Sequence, residues 1–301
     1  MDIALSYRQL HASGQLAERA EKAWAALASC HLCPRHCGVN RLEGQKGYCR
    51  SDARALVASY SPHFGEEEVL VGQGGSGTIF FSNCNLRCIF CQNCDISQAD
   101  AGEEVSSSEL AEIMLYLQKQ GCVNINFVSP SHFVATILEA VELAAARGLT
   151  IPLVYNSGGY DEVSALRLLA GVVDIYLPDL KFVSPAVSRR LADAKDYFAV
   201  ARKAIKEMHR QVGDLEVDGQ GLARRGLIVR HLVLPEDLAG TRAVVEFLAQ
   251  EISPHTAINI MGQYYPAFQA RQEPALRRRI TGTELAQARQ WALDLGLCLI
   301  D

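Results

Sequence analysis

From residue 77 onward the chain alternates short apolar, β-rich runs with segments of helical period, and does so about six times. Residues 78–81, 123–128, 151–155, 172–177, 227–234 and 257–261 read as strands. Segments 107–120, 132–147, 161–170, 185–212 and 240–251 read as helices, and Thr283 opens a last one to about Leu295. Strands that alternate with helices pair in parallel, because parallel neighbours need long crossovers. Six such units predict an α/β fold, an incomplete (β/α)6 TIM-like barrel over residues 77–301. The first 76 residues break this pattern. Residues 4–28 have helical spacing, with Leu5, Leu10, Leu16, Ala20, Trp24 and Leu27 on one stripe. Residues 30–76 are rich in Gly, Cys and Arg without a long period, and predict an irregular, metal-stapled extension.

A parallel barrel carries its active site at the C-terminal ends of its strands. Here those ends hold Cys84 to Cys91, Ser129 to His132, Asn156 to Gly159, Asp179 with Lys181, and Gln263. Packing does not explain polar groups at five successive strand ends, whereas a shared cavity does. Asp179 and Lys181 would contribute little as an exposed ion pair, but their place after an apolar strand favours a pocket. Arg230 lies within an apolar strand and needs an anionic partner there, either Asp179 or a ligand carboxylate. His132 and His231 suit a site or a hydrogen-bonded interior equally. Glu66, Glu67 and Glu68 read as a solvated acidic face. Tyr264 and Tyr265 line the cavity or pack.

The ten cysteines narrow the chemistry. The N-terminus shows no basic region followed by an apolar run, so the expected compartment is the cytoplasm. Clustered cysteines in a reducing compartment are metal ligands before they are disulfides. Cys84, Cys88 and Cys91 have the spacing C-x3-C-x2-C. Three thiolates on a [4Fe–4S] cluster leave one iron without a protein ligand, and an open position marks a reactive metal site. A zinc loop is the bland alternative, although zinc sites take four ligands, commonly as C-x2-C pairs. Cys94 would close the site as a fourth ligand, but it also suits the free first turn of a helix. Cys30, Cys33, Cys37 and Cys49 form a complete set of four in a segment with little apolar content, where a metal would supply folding free energy. Zinc and a second iron–sulfur cluster both suit this set. Cys122 and Cys298 stand alone.

The triple-cysteine spacing, with aromatic Phe90 just before its last member, resembles the signature of the radical S-adenosylmethionine (SAM) superfamily. Further stretches are similar to the branch related to pyruvate formate-lyase activating enzymes: 30–40, 63–67, 77–86, 91–93, 179–181, 230–235 and 261–264. The resemblance implies a radical SAM barrel in which the open iron chelates the amino and carboxylate groups of SAM. The reduced cluster then breaks the sulfonium C–S bond, and the 5′-deoxyadenosyl radical removes hydrogen from a substrate. It implies Phe90 beside the adenine. It also implies Asn156 and Ser157, in the loop 156–160, and Asp179 and Lys181 near the ribose and methionine end of SAM. Arg230 would meet the SAM carboxylate. The superfamily's Gly-Gly-Glu-like motif after the second strand is missing. Ser129-Pro130-Ser131-His132 stands in its place, and Ser129 becomes the candidate for the SAM amino group.

The resemblance implies a flavodoxin or ferredoxin as reductant. The substrate is a glycyl radical enzyme, or else a peptide or small molecule modified directly. Two other classes stay open at this point: an iron–sulfur electron carrier without SAM chemistry, and a zinc-binding scaffold. A net charge of −5 argues against a general nucleic-acid binder, which needs a basic face. No run of about 18 apolar residues predicts a membrane span.

Overall fold

Seven parallel strands follow one another across the sheet in the order the sequence presents them. The computed structural model describes residues 6–301; Leu5 and the N-terminal leader reading lie outside the described residues. The strands are β1 (Ala55–His63), β2 (Ser76–Phe81), β3 (Glu103–Val105), β4 (Ile125–Val128), β5 (Leu153–Ser157), β6 (Ile175–Pro178), β7 (Glu216–Val217), β8 (Ala223–Leu232), β9 (Ala257–Met261) and β10 (Cys298–Leu299). They form one sheet in the order β10-β9-β8-β6-β5-β4-β2-β1-β3, with β7 beside β8. From β2 to β10 along this path all neighbours are parallel. The fold is therefore mixed α/β with a mostly parallel sheet.

Sequential parallel strands need crossovers of one hand, which place the connecting helices on one face. The larger hydrophobic cluster occupies that face. It joins Phe81, Phe127, Tyr155, Val229 and Ile260 of the strands to Leu110, Leu138, Ile205 and Val244 of the helices. Period-two alternation turns the intervening residues the other way. Val154, Ile175, Leu177, Ile228 and Ala257 form a second, smaller cluster with Leu70. That second face also carries Asn126, Asn156, Asp179, Arg230 and Asn259, as the register shows: Asn126 pairs with Val154, Asn156 with Leu177, and Arg230 with both Asp179 and Asn259.

Local signals set the helix boundaries. Ser106 and Glu109 form a reciprocal capping box before Ser107–Lys119, and Thr281 with Glu284 does the same before Gly282–Asp294. The expected long helix over 185–212 is two, Pro185–Ala192 and Tyr197–Val212, broken where Asp193 adopts φ 52°. The N-terminal helical stripe likewise breaks at Gly14, φ 75°, between Ser6–Ala12 and Gln15–Ala25. Tyr7, Leu16, Ala20 and Leu27 from this region join the larger core.

The irregular reading of 30–76 needs correction. β1 is a nine-residue strand within it, antiparallel to β2 and β3. Its segment, ALVASYSPH, alternates weakly because its far half is exposed at the sheet edge. No helix among the described residues is long and apolar enough to cross a membrane.

Candidate active site

The cysteine loop starts where β2 ends. Asn83 turns the chain at φ 70° and donates its backbone N–H to Ile96 O at 2.9 Å. The loop then hangs on the end of helix Pro185–Ala192: Arg87 N–H bonds Ala192 O at 3.1 Å, and Ile89 N–H bonds Leu191 O at 2.9 Å. Cys84, Cys88 and Cys91 are all free thiols, and Cys88 is buried. Burial pushes the Cys84 and Cys88 thiols up, the neighbouring cysteines push them further, and Lys181 opposes this. The loop after β2 lies against the residues after β6: a Cβ on Gly158 would meet Leu86 Cδ1 at 3.1 Å and Lys181 Cε at 3.7 Å. Leu86 N–H donates to Cys84 Sγ at 3.4 Å, and Cys91 Sγ lies 3.2 Å from Ser97 Oγ. Cys94 begins the single helical turn Cys94–Ser97.

Beside the cysteines runs a half-buried ion network. Lys181 Nζ lies 2.5 Å from Asp179 Oδ2, and Arg230 Nε lies 3.2 Å from Asp179 Oδ1. Arg230 also reaches Glu66 Oε2 at 3.3 Å and donates to the Asn156 side-chain oxygen. Burial disfavours the Asp179 carboxylate, but Lys181 and Arg230 outweigh it and hold the group below the usual carboxylate range. Burial likewise disfavours the charged Lys181, and Asp179 outweighs it, raising the ammonium pKa. Thus Asn156, Asp179, Lys181 and Arg230 come together at neighbouring strand ends.

Glu66 and Glu67 do not form a solvated face. Glu67 is 3% exposed and accepts from Asn259 Nδ2 at 3.0 Å. Burial pushes Glu66 up against the pull of Arg230. Only Glu68 of the three is exposed as expected; the turn Glu68–Val71, whose Leu70 plugs the second face of the sheet, carries Glu66 and Glu67 inward. Glu67 Oε2 and both amide atoms of Asn126 on that face are buried without protein partners.

Two groups that the sequence reading passed over organise the loops. Asp161 is buried and accepts from Ser131 Oγ at 2.6 Å, Ser157 Oγ at 2.5 Å and Tyr155 OH at 3.1 Å. Burial raises its pKa although all three hydrogen bonds oppose this. The Ser157 hydroxyl therefore donates to Asp161, and its oxygen in turn accepts from Gly159 N–H at 3.2 Å. Tyr197 OH is within 2.8 Å of both Gly158 O and Asp179 O, and accepts from Lys181 N–H at 3.0 Å. One hydroxyl thereby ties the loop after β5 to the loop after β6. A period-2 strand followed by Asp, and a helix beginning with Tyr, were the available signals, and both are weak.

The remaining candidates separate. Phe90 is buried edge-on to Phe182 and Tyr264, with ring centroids 5.8 and 6.4 Å away. Ser129 turns the chain after β4 at φ 59°, with its N–H on Asn156 O. His231 is fully buried between Leu180 O at 2.6 Å and Thr241 Oγ1 at 2.9 Å, a satisfied structural histidine. His132 bonds Ser82 O at 3.0 Å, and burial lowers its pKa to about 3, so it is neutral. Tyr264 is buried and Tyr265 is exposed.

The radical SAM superfamily model matches residues 78–217, which include the cysteine loop and the ends of β4, β5 and β6. An uncharacterized protein of Methanocaldococcus jannaschii, MJ0674, is 35% identical over 282 residues, 90% of this chain and 76% of that protein. The chain belongs to the radical SAM superfamily. A second M. jannaschii protein, the uncharacterized MJ0808, is 25% identical over 169 residues, half of this chain and 49% of its own length. Two solved structures are also similar. Streptococcus suis SuiB, bound to the precursor peptide SuiA, has a TM-score of 0.49 and 11% identity, covering 72% of this chain and 46% of SuiB. A radical SAM methyltransferase from Sphaerobacter thermophilus has a TM-score of 0.48 and 12% identity, covering 99% and 93%.

Radical SAM proteins are enzymes, and membership implies a [4Fe–4S] cluster and SAM. The donor set fits that group. Cys84, Cys88 and Cys91 are three free thiols on one loop, the donor type that such a cluster takes.

In this radical SAM chain the N-terminal cysteines also gather. Burial pushes the Cys33 thiol up to about 12, and Cys49, Cys30 and Cys37 all raise it. Gly38 N–H bonds Cys30 O, and Cys30 N–H bonds Val39 O, closing the loop between Cys30 and Cys37. A Cβ at Gly47 would lie 2.8 Å from Cys37 Sγ, so only glycine permits this approach.

Proposed function

We propose that this chain cleaves SAM reductively and abstracts hydrogen from a substrate, with Cys84, Cys88 and Cys91 holding the cluster. The observation that carries the reading is the packing of the cysteine loop against the Asp179–Lys181 ion pair: a Cβ on Gly158 would meet Leu86 of that loop at 3.1 Å and Lys181 Cε at 3.7 Å. When bound, the cluster supplies the electron for SAM cleavage and one iron for its amino and carboxylate groups. The protein's own groups then orient SAM. Lys181 and Arg230 share Asp179 and present positive charge to the methionine carboxylate. Asn156, its oxygen held by Arg230, keeps its amide N–H groups for the ribose. Ser129 offers a hydroxyl to the amino group, and Phe90 an apolar surface to the adenine. Ser157 acts through Gly159 and Asp161, setting the loop rather than donating to SAM.

The motif stretches at 30–40, 63–67, 179–181 and 230–235 support a place in the branch related to pyruvate formate-lyase activating enzymes. On that reading the substrate is a glycyl radical enzyme, the reductant a flavodoxin or ferredoxin, and the compartment the cytoplasm; direct modification of a peptide or small molecule is the competing substrate class. Helices on one face, and a second face whose strand-end polar groups are covered by Glu66, Glu67 and Leu70, support a sheet curled into an incomplete (β/α)6 barrel. The open strand path, unpaired between β3 and β10, would admit a polypeptide loop. Residues 1–76 act as an extension whose cysteines hold a second metal, and residues 77–301 as the SAM-binding unit.

The test is anaerobic reconstitution of the wild type and the Cys84→Ala/Cys88→Ala/Cys91→Ala variant. The wild type should show a reduced-cluster electron paramagnetic resonance signal whose g-values shift on adding SAM, and the variant should show no signal that responds to SAM. A wild-type signal indifferent to SAM would overturn the proposal.

A further inference from the structure

A cavity of about 230 Å³ opens beside the loop after β8. Its floor is apolar: Val233, Leu234 and Ala288 are buried, and the half-buried Trp291 forms a wall. Val233 and Leu234 follow the end of β8, and the helices Thr241–Phe247 and Gly282–Asp294 bring their first turns to the cavity. Helices that follow parallel strands begin at the C-terminal ends of those strands, where active sites lie. The cavity therefore opens on the same rim of the sheet as Arg230. Thr241 Oγ1 lies 2.9 Å from His231 Nε2, and His231 Nδ1 lies 2.6 Å from Leu180 O, between Asp179 and Lys181. One buried histidine thus separates this cavity from the candidate SAM site.

The rim is acidic. Asp237 and Glu284 line it, and Glu236 adjoins them. Glu236 and Asp237 are exposed, and the chain turns there at φ 60° and 50°. Neither forms an ion pair among the described residues, and the cations beside them are committed. Arg278 grips Glu284 with both terminal nitrogens at 2.8 Å, and Arg242 pairs with Glu246 at 3.0 Å. The backbone donors at this corner are also taken. Asp237 Oδ1 accepts from Thr241 N–H at 2.8 Å, Glu284 Oε1 from Glu236 N–H at 2.8 Å, and Thr281 Oγ1 from Glu284 N–H at 3.1 Å. An anion would meet carboxylates rather than free N–H groups, whereas a cation would find uncompensated charge.

The volume is smaller than the roughly 300–1,000 Å³ of small-molecule sites, and suits one long side chain. Arginine matches each feature. Its aliphatic stem covers apolar surface while its head stays at the rim, and its planar guanidinium stacks on an indole as a compact, strongly hydrated ammonium does not.

We propose that this cavity is an exosite that docks an arginine side chain of a polypeptide substrate, with Trp291 against the guanidinium and Asp237 as its counter-ion. The polypeptide source rests on the substrate reading above. Binding here holds the partner beside the strand ends and involves no covalent step.

The chain has two tryptophans, so nitrogen-15 labelling of the cluster-loaded protein gives two indole N–H resonances, and Trp291→Phe identifies the one that reports on the cavity. Nα-acetyl-arginine methylamide, charged only on its side chain, should shift that resonance saturably with a Kd on the order of 1–10 mM. The norleucine analogue, with a stem but no charge, should bind at least tenfold more weakly. Asp237→Asn, which keeps the acceptor for Thr241, should weaken arginine binding at least threefold. No saturable shift, or equal binding of the two analogues, overturns the site. Butylguanidinium carries the same head without a backbone; if it binds more tightly than the blocked arginine, the cavity serves a small cation and polypeptide docking is overturned. SAM cleavage plays no part in these readings, so failure of the exosite and failure of the SAM assignment are distinguishable.

Discussion

Arg230 is the residue on which the most interactions converge. It neutralises Asp179 and Glu66, and its guanidinium fixes the Asn156 amide. Removing one partner of a fully buried ion pair costs about 3–5 kcal/mol, and because Arg230 and Asp179 are partly exposed, that figure is an upper bound here. Arg230→Met should therefore lower stability by up to that amount in anaerobic urea unfolding, and weaken SAM binding as well. Asp174 gives a pH-dependent counterpart. Burial raises its carboxyl from 3.8 to about 7, while Leu153 N–H donates to it at 2.9 Å. The folded protein keeps this proton where the unfolded chain has lost it. Its contribution is fullest below about pH 4, declines as pH rises towards 7, and is flat above. Asp174→Asn retains the acceptor and abolishes that slope, so the variant should exceed the parent in stability at pH 8 and match it near pH 4. An equal difference at both pH values would contradict the assignment. The cysteines, Asp179, Lys181 and Arg230 were legible at this scale because motif spacing and an Arg in an apolar strand are local signals. Glu67 and Asp161 were not: their burial depends on chain that folds over them from elsewhere.

At the scale of elements, the site is a set of loops held in register. Gly159 shows how tightly. It adopts φ 75°, and a Cβ there would lie 2.1 Å from Asp179 O. Gly159→Ala should force the loops after β5 and β6 apart, costing about 1–3 kcal/mol of backbone strain. SAM affinity, read by calorimetry on the reconstituted protein, should drop at least tenfold. Wild-type affinity would show that the loops need not meet. The six parallel strands were readable because their apolar runs are buried on both faces, and the capped helices because Ser106-x-x-Glu109 and Thr281-x-x-Glu284 frame them. The strand β1, the edge strand β3 and the two-residue strands β7 and β10 escaped notice. They are defined by pairing partners distant in sequence rather than by their own pattern.

For the whole molecule, sequential parallel strands put all crossover helices on one side and leave the other face to polar groups. The N-terminal segment completes this plan. Glu66 and Glu67 enter the polar face, and Arg35, Tyr48 and Arg41 brace the loops at the strand ends. Arg41 donates to His132 O at 2.6 Å and to Cys30 Sγ at 3.9 Å. Sequence alone showed the two cysteine sets but not that they touch, since the contact joins segments some forty residues apart through side chains with no motif of their own. The central claim is that the Cys84–Cys91 site performs radical SAM chemistry. The most direct measurement is 5′-deoxyadenosine, quantified after dithionite and SAM are added anaerobically to protein carrying a full cluster. The account predicts its formation by the wild type and none by Cys84→Ala/Cys88→Ala/Cys91→Ala; cluster-loaded wild type yielding no more 5′-deoxyadenosine than that variant would contradict it.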